Sequence, residues 1–248
     1  MNETQWRVTF EIYRQKTGQP AHFDKFVMDV DPDEYVLDVV ERIWAYNDRS
    51  LTFRHACHHS TCGACGMRVN GVEKLTCITP IREVARNGGQ VRIEPLRNFP
   101  VLSDLVVDMS DFYLRLDDVK FSQVASLQDA CLPFERKQQV REDGRYERLV
   151  DCLECGMCIS ACPVALTTPE YLGPGVLAAA QHAYQQSRDA SLLDQVDDQD
   201  GVWRCHSAYE CTAVCPSNVD PGWRIMDLRK DILRHQISKI FSRRGPSR

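Results

Sequence analysis

The sequence predicts an α+β fold, with a small mixed sheet crossed by one helix over about residues 1–105 and a helical region over 106–248. Three observations carry this. Alternating apolar residues open the chain, an Asn-Gly pair separates two further short strand patterns, and helical periodicity replaces alternation beyond residue 105.

The elements follow in order. TQWRVTFEIYR puts Trp6, Val8, Phe10 and Ile12 on one face, and HFDKFVMDV follows after Lys16–Pro20, so a hairpin opens the fold. VLDVVERIWAYND, Val36 to Asp48, places Val36, Val39, Val40, Ile43 and Trp44 on one helical stripe. Asn70-Gly71 is a type I′ turn signal, so MRV and VEKL pair as a second hairpin leading to Cys77. QVRIEPL, Gln90 to Leu96, closes the sheet. DLVVDMSDFYLRL leads out of this region, and GPGVLAAAQHAYQQSR starts a helix after Pro174. DQVDDQD, Asp194 to Asp200, reads as a solvated acidic connector. The last helix begins at Asp220-Pro221, with Trp223, Met226, Leu233, Ile237 and Ile240 on its apolar face.

Composition narrows the function classes. A net charge of −5 argues against a nucleic-acid partner, which asks for a basic face. The longest apolar runs, such as Val176–Ala180, fall far short of the roughly 18 residues that span a bilayer. MNETQWRVTFEIY runs straight into a strand pattern without a leader-like apolar stretch. Twelve cysteines without a sign of secretion point to metal binding rather than disulfides.

Their spacing identifies the metal. Cys57, Cys62, Cys65 and Cys77 form a C-x4-C-x2-C…C pattern, the plant-type [2Fe–2S] spacing. Gly63 and Gly66 suit a loop that curls its N–H groups around sulfur. A zinc knuckle is the alternative, but it uses two separated cysteine pairs. Cys152, Cys155, Cys158 and Cys162 stand in CLECGMCISACP, the C-x2-C-x2-C-x3-C-P run whose fourth cysteine crosses to another cluster. CHSAYECTAVCP, Cys205 to Pro216, supplies the second run but carries Ala208 where a cysteine is due. With Cys215 returning to the first cube, Cys152, Cys155, Cys158 and Cys215 hold a [4Fe–4S]. Cys162, Cys205 and Cys211 are left with three thiolates, which suits a [3Fe–4S]. Cys131 belongs to none of these groups and reads as a buried structural thiol.

The three cysteine groups in this order resemble the iron–sulfur subunit of succinate dehydrogenase and fumarate reductase, respiratory complex II. ITPIREV, PLRNFPVLSDLVVDMSDFY and CPSNVDP extend the resemblance over nearly the whole chain. It implies a β-grasp plant-type ferredoxin domain over 1–105 and a helical, bacterial-type two-cluster domain over 106–248. It also implies electron transfer from FAD in a separate catalytic subunit, through the three clusters, to quinone at membrane-anchor subunits that can carry haem. The complex would sit at the cytoplasmic face of a prokaryotic plasma membrane, with this chain peripheral. Pro163, His206, Ala208 and Trp223 are implied near the quinone, His206 beside the three-iron cluster and Trp223 with Arg224 at its border. Many members place tryptophans after the second run's Cys-Pro; here Leu166 and Thr167 stand instead, which favours another quinone or a differently built site. Arg243, Arg244 and Arg248 form a basic tail suited to anionic lipid. The iron–sulfur subunit of another dehydrogenase, or a zinc-binding interaction module, are the rival classes.

Overall fold

A computed structural model describes residues 5–119 and 151–243 of the chain. It divides into two compact units, Met1–Met109 with Leu153–Ala161, and Ser110–Cys152 with Cys162–Arg248. The stretch Leu153–Ala161, which lies in the helical region of the sequence, therefore packs with the first unit. Cys131, Arg244 and Arg248 fall outside the described residues.

In the first unit, β1 (Trp6–Arg14) pairs antiparallel with β2 (His22–Val30), from Trp6↔Val30 to Arg14↔His22. Val8, Phe10 and Ile12 point into the core and are fully buried. The helix α1 (Val36–Tyr46) lays Val36, Val39, Val40 and Ile43 on the same core, with Trp44 half-buried at its edge. β3 (Gly66–Val69) and β4 (Val72–Leu75) meet at Val69↔Val72. The two residues between them, Asn70 and Gly71, have φ of 52° and 85°, as a type I′ turn requires. After the short helix α2 (Ile81–Val84), β5 (Gln90–Glu94) enters the middle of the sheet. It runs parallel to β1 and antiparallel to β3, giving the order β2-β1-β5-β3-β4. QVRIE thus completes the sheet from its centre, where Val91 and Ile93 are fully buried. One helix across a five-stranded mixed sheet is a β-grasp. A two-stranded ribbon, β6 (Val101–Ser103) with β7 (Val106–Val107), ends this part of the chain.

Two polar networks hold the unit where apolar burial cannot. Fully buried Asp104 accepts from Lys16 Nζ at 2.6 Å and the Thr52 N–H at 2.9 Å, with Arg14 Nε at 3.3 Å. Arg14 also bridges Asp24 and Asp48. The second network fastens the returning stretch and its helix α4 (Met157–Ala161). Ser160 Oγ donates to Glu73 Oε1 on β4 at 2.7 Å and accepts from the Arg97 N–H at 2.8 Å, while Asn98 Nδ2 donates to the Ile159 carbonyl.

In the second unit α3 (Ser110–Asp118), α6 (Pro174–Ser187), α7 (Ser191–Val196) and α9 (Pro221–Arg243) build the core, with the short α5 (Pro163–Thr167) and α8 (Glu210–Ala213) carrying cysteine segments. α6 begins with Pro174 itself, one residue ahead of the expected start, because a proline's fixed φ and missing N–H suit the first helical turn. The face that α9 buries is not the expected one. Ile225, Leu228 and Ile232 are buried, whereas Trp223, Leu233, Ile237 and Ile240 are about half exposed. The helix carries apolar residues on more than one face, and α6 is the element it packs against most. The acidic connector is also more than solvated. Asp194 sits on α7 and accepts from Lys239 Nζ at 2.6 Å, and Asp197 accepts from Trp203 Nε1 at 2.6 Å.

Candidate iron–sulfur sites

The first site is a loop of tight backbone. His58, Ser60 and Gly63 have φ of 59°, 59° and 70°, left-handed values that curl Cys57–Cys65 into a cradle. Cys77 comes to it on the single 3-10 turn after β4, whose Thr76 hydroxyl donates to the Cys65 carbonyl at 2.9 Å. Backbone N–H groups point at sulfur, with Thr61 N–H 3.3 Å from Cys57 Sγ. N–H donors from His59 and Thr61, with the Cys62 thiol, pull the Cys57 pKa down to about 6. Burial and the neighbouring Cys65 push Cys77 up to about 11. Four thiols near enough to hydrogen-bond one another in pairs, with N–H groups aimed at them, fit the [2Fe–2S] set. Cys77 keeps its proton at neutral pH until a cation displaces it, whereas Cys57 is already disposed to the thiolate a metal takes.

Glycine at position 63 has a second reason beyond φ. A Cβ there would stand 2.7 Å from the Cβ of Cys155, so the loop lies directly against the first cysteine run within the same unit. Gly156, with φ 76°, is similarly enclosed, its absent Cβ facing Met109 at 2.7 Å and Phe99 at 3.0 Å. Cys155 and Cys158 belong to this unit, while Cys152 and Cys215 belong to the other, where they pack beside Ala178 and Val219. The Val219 N–H lies 3.4 Å from Cys215 Sγ.

The third group is gathered entirely within the second unit. Cys162, Cys205 and Cys211 line one pocket, and Ala208 lines it with them. Pro163, His206, Ala208 and Glu210 stand exposed among its lining residues, while Cys162, Cys211, Tyr171 and Ile225 are buried there. Backbone φ values of 56° at Ser207 and 60° at Tyr209 wrap this short segment around the cavity. Burial, then the charges of Cys162 and Cys205, push Cys211 up to about 12; burial and Cys205 push Cys162 up as well. The Ser207 N–H points at Cys205 Sγ at 3.4 Å. Three thiols around one cavity fit a three-iron cluster, because Ala208 offers no fourth thiolate.

Of the residues expected near a quinone, Pro163, His206 and Ala208 line this pocket. Trp223 does not; its ring lies 6.0 Å from that of Tyr209, which does. Arg224 is not among the lining residues either. It is buried, donating from Nε to the Val219 carbonyl and from Nη1 to Gln181 Oε1. Leu166 is exposed on α5 and is not among the lining residues. Sequence reasoning overlooked Tyr171, a buried phenol whose ionisation is opposed by burial and by the thiols of Cys205 and Cys162. Nothing in PEYLGP announces it.

Comparison with known proteins agrees with this geometry. The family described as "2Fe-2S iron-sulfur cluster binding domain" matches residues 9–114, and "4Fe-4S dicluster domain" matches 148–219. The chain is 34% identical over 240 residues to a fumarate reductase iron-sulfur subunit of Mycobacterium tuberculosis, covering 95% of this chain and 96% of that one. It is 34% identical over 234 residues to a mitochondrial succinate dehydrogenase [ubiquinone] iron-sulfur subunit of Oryza sativa, covering 90% and 81%. A chain of the Mycobacterium smegmatis Sdh1 complex in its apo form shares the fold, with a TM-score of 0.79 at 23% identity over 94% of this chain and 98% of that one. Among the described residues no helix is long and apolar enough to cross a membrane. The chain belongs to the family of succinate dehydrogenase and fumarate reductase iron–sulfur subunits.

Proposed function

We propose that the chain is the electron-transfer subunit of a succinate:quinone oxidoreductase. It would take electrons from FAD in a catalytic partner subunit and deliver them to quinone at membrane-anchor subunits, with any haem held by those anchors. The proposed ligand sets are Cys57, Cys62, Cys65 and Cys77 for [2Fe–2S], Cys152, Cys155, Cys158 and Cys215 for [4Fe–4S], and Cys162, Cys205 and Cys211 for [3Fe–4S]. The bound clusters supply one-electron carriers, which amino-acid side chains cannot. The residues bind, orient and tune. Thr61, Ser207 and Val219 aim N–H groups at cysteine sulfur, and hydrogen bonds to sulfur are one of the levers on cluster potential.

The pocket of Cys162, Cys205, Cys211 and Ala208 carries the reading. A three-thiolate site whose exposed lining includes His206 suits the last donor in a relay, where the acceptor must approach from outside the chain. The proposed setting is the cytoplasmic face of a prokaryotic plasma membrane. Fumarate reduction would use the same wiring in reverse, and the M. tuberculosis relative carries that name.

Purification of the chain with its natural partners tests the proposal. The complex should contain flavin, slightly less iron than acid-labile sulfide, and an oxidised-state EPR signal of a three-iron cluster. It should reduce quinone with succinate, and parallel assays with fumarate and with two quinone types establish direction and acceptor. A colourless, zinc-loaded protein, or a partner that oxidises another substrate, would overturn it.

A further inference from the structure

Away from the thiols, Glu41, His55 and His58 bring three ligand atoms together on the first unit. Glu41 projects from α1, His55 lies in the segment entering the cysteine loop, and His58 follows Cys57. His55 Nδ1 lies 3.0 Å from His58 Nε2. Glu41 Oε1 lies 3.0 Å from the first and 3.2 Å from the second. The three atoms make a nearly equilateral triangle.

One proton can bridge the two rings, His55 Nδ1 to His58 Nε2, but none is directed at Glu41. Glu41 Oε1 is closed off from solvent, yet it accepts no well-directed hydrogen bond from either ring. A buried carboxylate oxygen without a donor is a costly arrangement unless a cation completes it. Metal geometry suits it better. A cation about 2.0–2.1 Å from two imidazole nitrogens and a carboxylate oxygen would sit about 1 Å out of their plane. Both histidines are 40% exposed, so a fourth position opens to water and the cation has a way in.

The donors are also held in place. The His55 ring stacks on Phe53 with centroids 5.2 Å apart, and Phe53 stands edge-on to Trp44 at 6.3 Å. Trp44 is three residues beyond Glu41 on α1, so one helix face supplies both a ligand and the wall that aims another. His58 is fixed by its left-handed backbone, φ 59°. Ligands oriented before the metal arrives are what a binding site needs and a chance surface cluster lacks.

We propose that Glu41, His55 and His58 form a site for a divalent first-row cation of borderline softness, Zn²⁺ foremost, with water as fourth ligand. Two nitrogens and one oxygen disfavour Mg²⁺ and Ca²⁺, which take oxygen, and Cu⁺, which prefers sulfur. The site shares no ligand with the cysteine sets and does not depend on the electron-transfer reading. Occupied, it would tie the residue after Cys57 to α1 and brace the loop.

The test uses the purified complex with its clusters in place, treated with a mild chelator and then dialysed against micromolar Zn²⁺. One equivalent should bind per chain with iron content unchanged, and X-ray absorption at the zinc edge should show nitrogen and oxygen neighbours without sulfur. His58→Asn keeps a residue that tolerates left-handed backbone, and Glu41→Gln keeps the shape. Each should weaken zinc binding by more than about tenfold while iron content and circular dichroism stay unchanged. If His58→Asn disturbs the loop and iron is lost, Glu41→Gln on the helix decides. Failure of the complex to bind zinc, zinc with sulfur neighbours, or Glu41→Gln binding as tightly as the parent would overturn the proposal.

Discussion

Gly63 and Cys155 lie so close that no side chain fits between them. A Cβ on Gly63 would approach the Cys155 Cβ to 2.7 Å and the Leu153 carbonyl oxygen to 3.0 Å. The neighbours are a Cβ and a backbone oxygen, neither of which can swing aside. Gly63→Ala should therefore cost more than the roughly 1–2 kcal/mol of a left-handed alanine. Gly18 is the control, because φ is 76° there with nothing within 4 Å. Thermal melts followed through cluster absorbance should fall by several degrees for Gly18→Ala and further, with iron lost, for Gly63→Ala. Equal shifts would mean that the close approach does not matter.

Ala208 tests the three-thiol pocket. Ala208→Cys restores the spacing of an ordinary run and places a fourth thiolate among Cys162, Cys205 and Cys211. The oxidised three-iron EPR signal should vanish and the site's potential should drop, because another thiolate adds negative charge. Quinone reduction should slow while flavin reduction by succinate persists. An unchanged spectrum would move the cluster elsewhere.

Ser160 is the pin of the returning stretch. Ser160→Ala leaves Glu73, which is 5% exposed, without its short donor and removes the acceptor of the Arg97 N–H. Losing one partner of a buried pair costs about 1–3 kcal/mol. The free energy of unfolding should fall by that amount, read as a lower denaturant midpoint at constant slope. A shift within error would make the pair ornamental.

Acid should loosen the first unit through Asp104 and Asp48. Burial pushes the Asp104 carboxyl up, but Lys16, the N–H groups of Thr52 and Gln15, and Arg14 outweigh it and hold the pKa low. The Ser50 hydroxyl, then Arg14, hold Asp48 down to about 2. Both groups are depressed below the unfolded value of about 3.9, so their contribution is complete above that pH and disappears as pH falls through the folded value. Stability should be flat in these terms at neutral pH and decline from about pH 4 towards 2. Asp104→Asn should lower stability at pH 7 and flatten that decline. Urea midpoints at pH 7, 4 and 3 measure both.

Much of the arrangement could be read from residue order, and the exceptions share a cause. Cysteine spacing and Asn70-Gly71 are local signals, set by what a short loop can reach, and they transfer directly to structure. The central place of β5 is not local, since Gln90–Glu94 finds β1 across some eighty residues. Glu73 and Ser160 are single polar residues 87 positions apart, with no pattern to link them. In α9 two apolar stripes compete, and tertiary packing rather than periodicity buries Ile225, Leu228 and Ile232 and leaves Leu233, Ile237 and Ile240 half exposed. Asp194 reads as solvent-facing because its partner, Lys239, lies 45 residues away.

The first unit is not continuous in the chain, and this orders its assembly in time. At synthesis rates of about 5–20 residues per second, the stretch ending at Ala161 is made about 3–10 seconds after Met109. During that interval β4 presents Glu73 without Ser160, and the cysteine loop lacks the surface that Cys155 provides. A nascent unit whose Glu73 lacks its Ser160 donor and whose thiols are unfilled is the form most exposed to oxidation and misassociation. Iron delivery to Cys57, Cys62, Cys65 and Cys77 is thus best timed after residue 161 has left the ribosome, and a chain cut between the units should release a fragment that cannot close its own cluster loop.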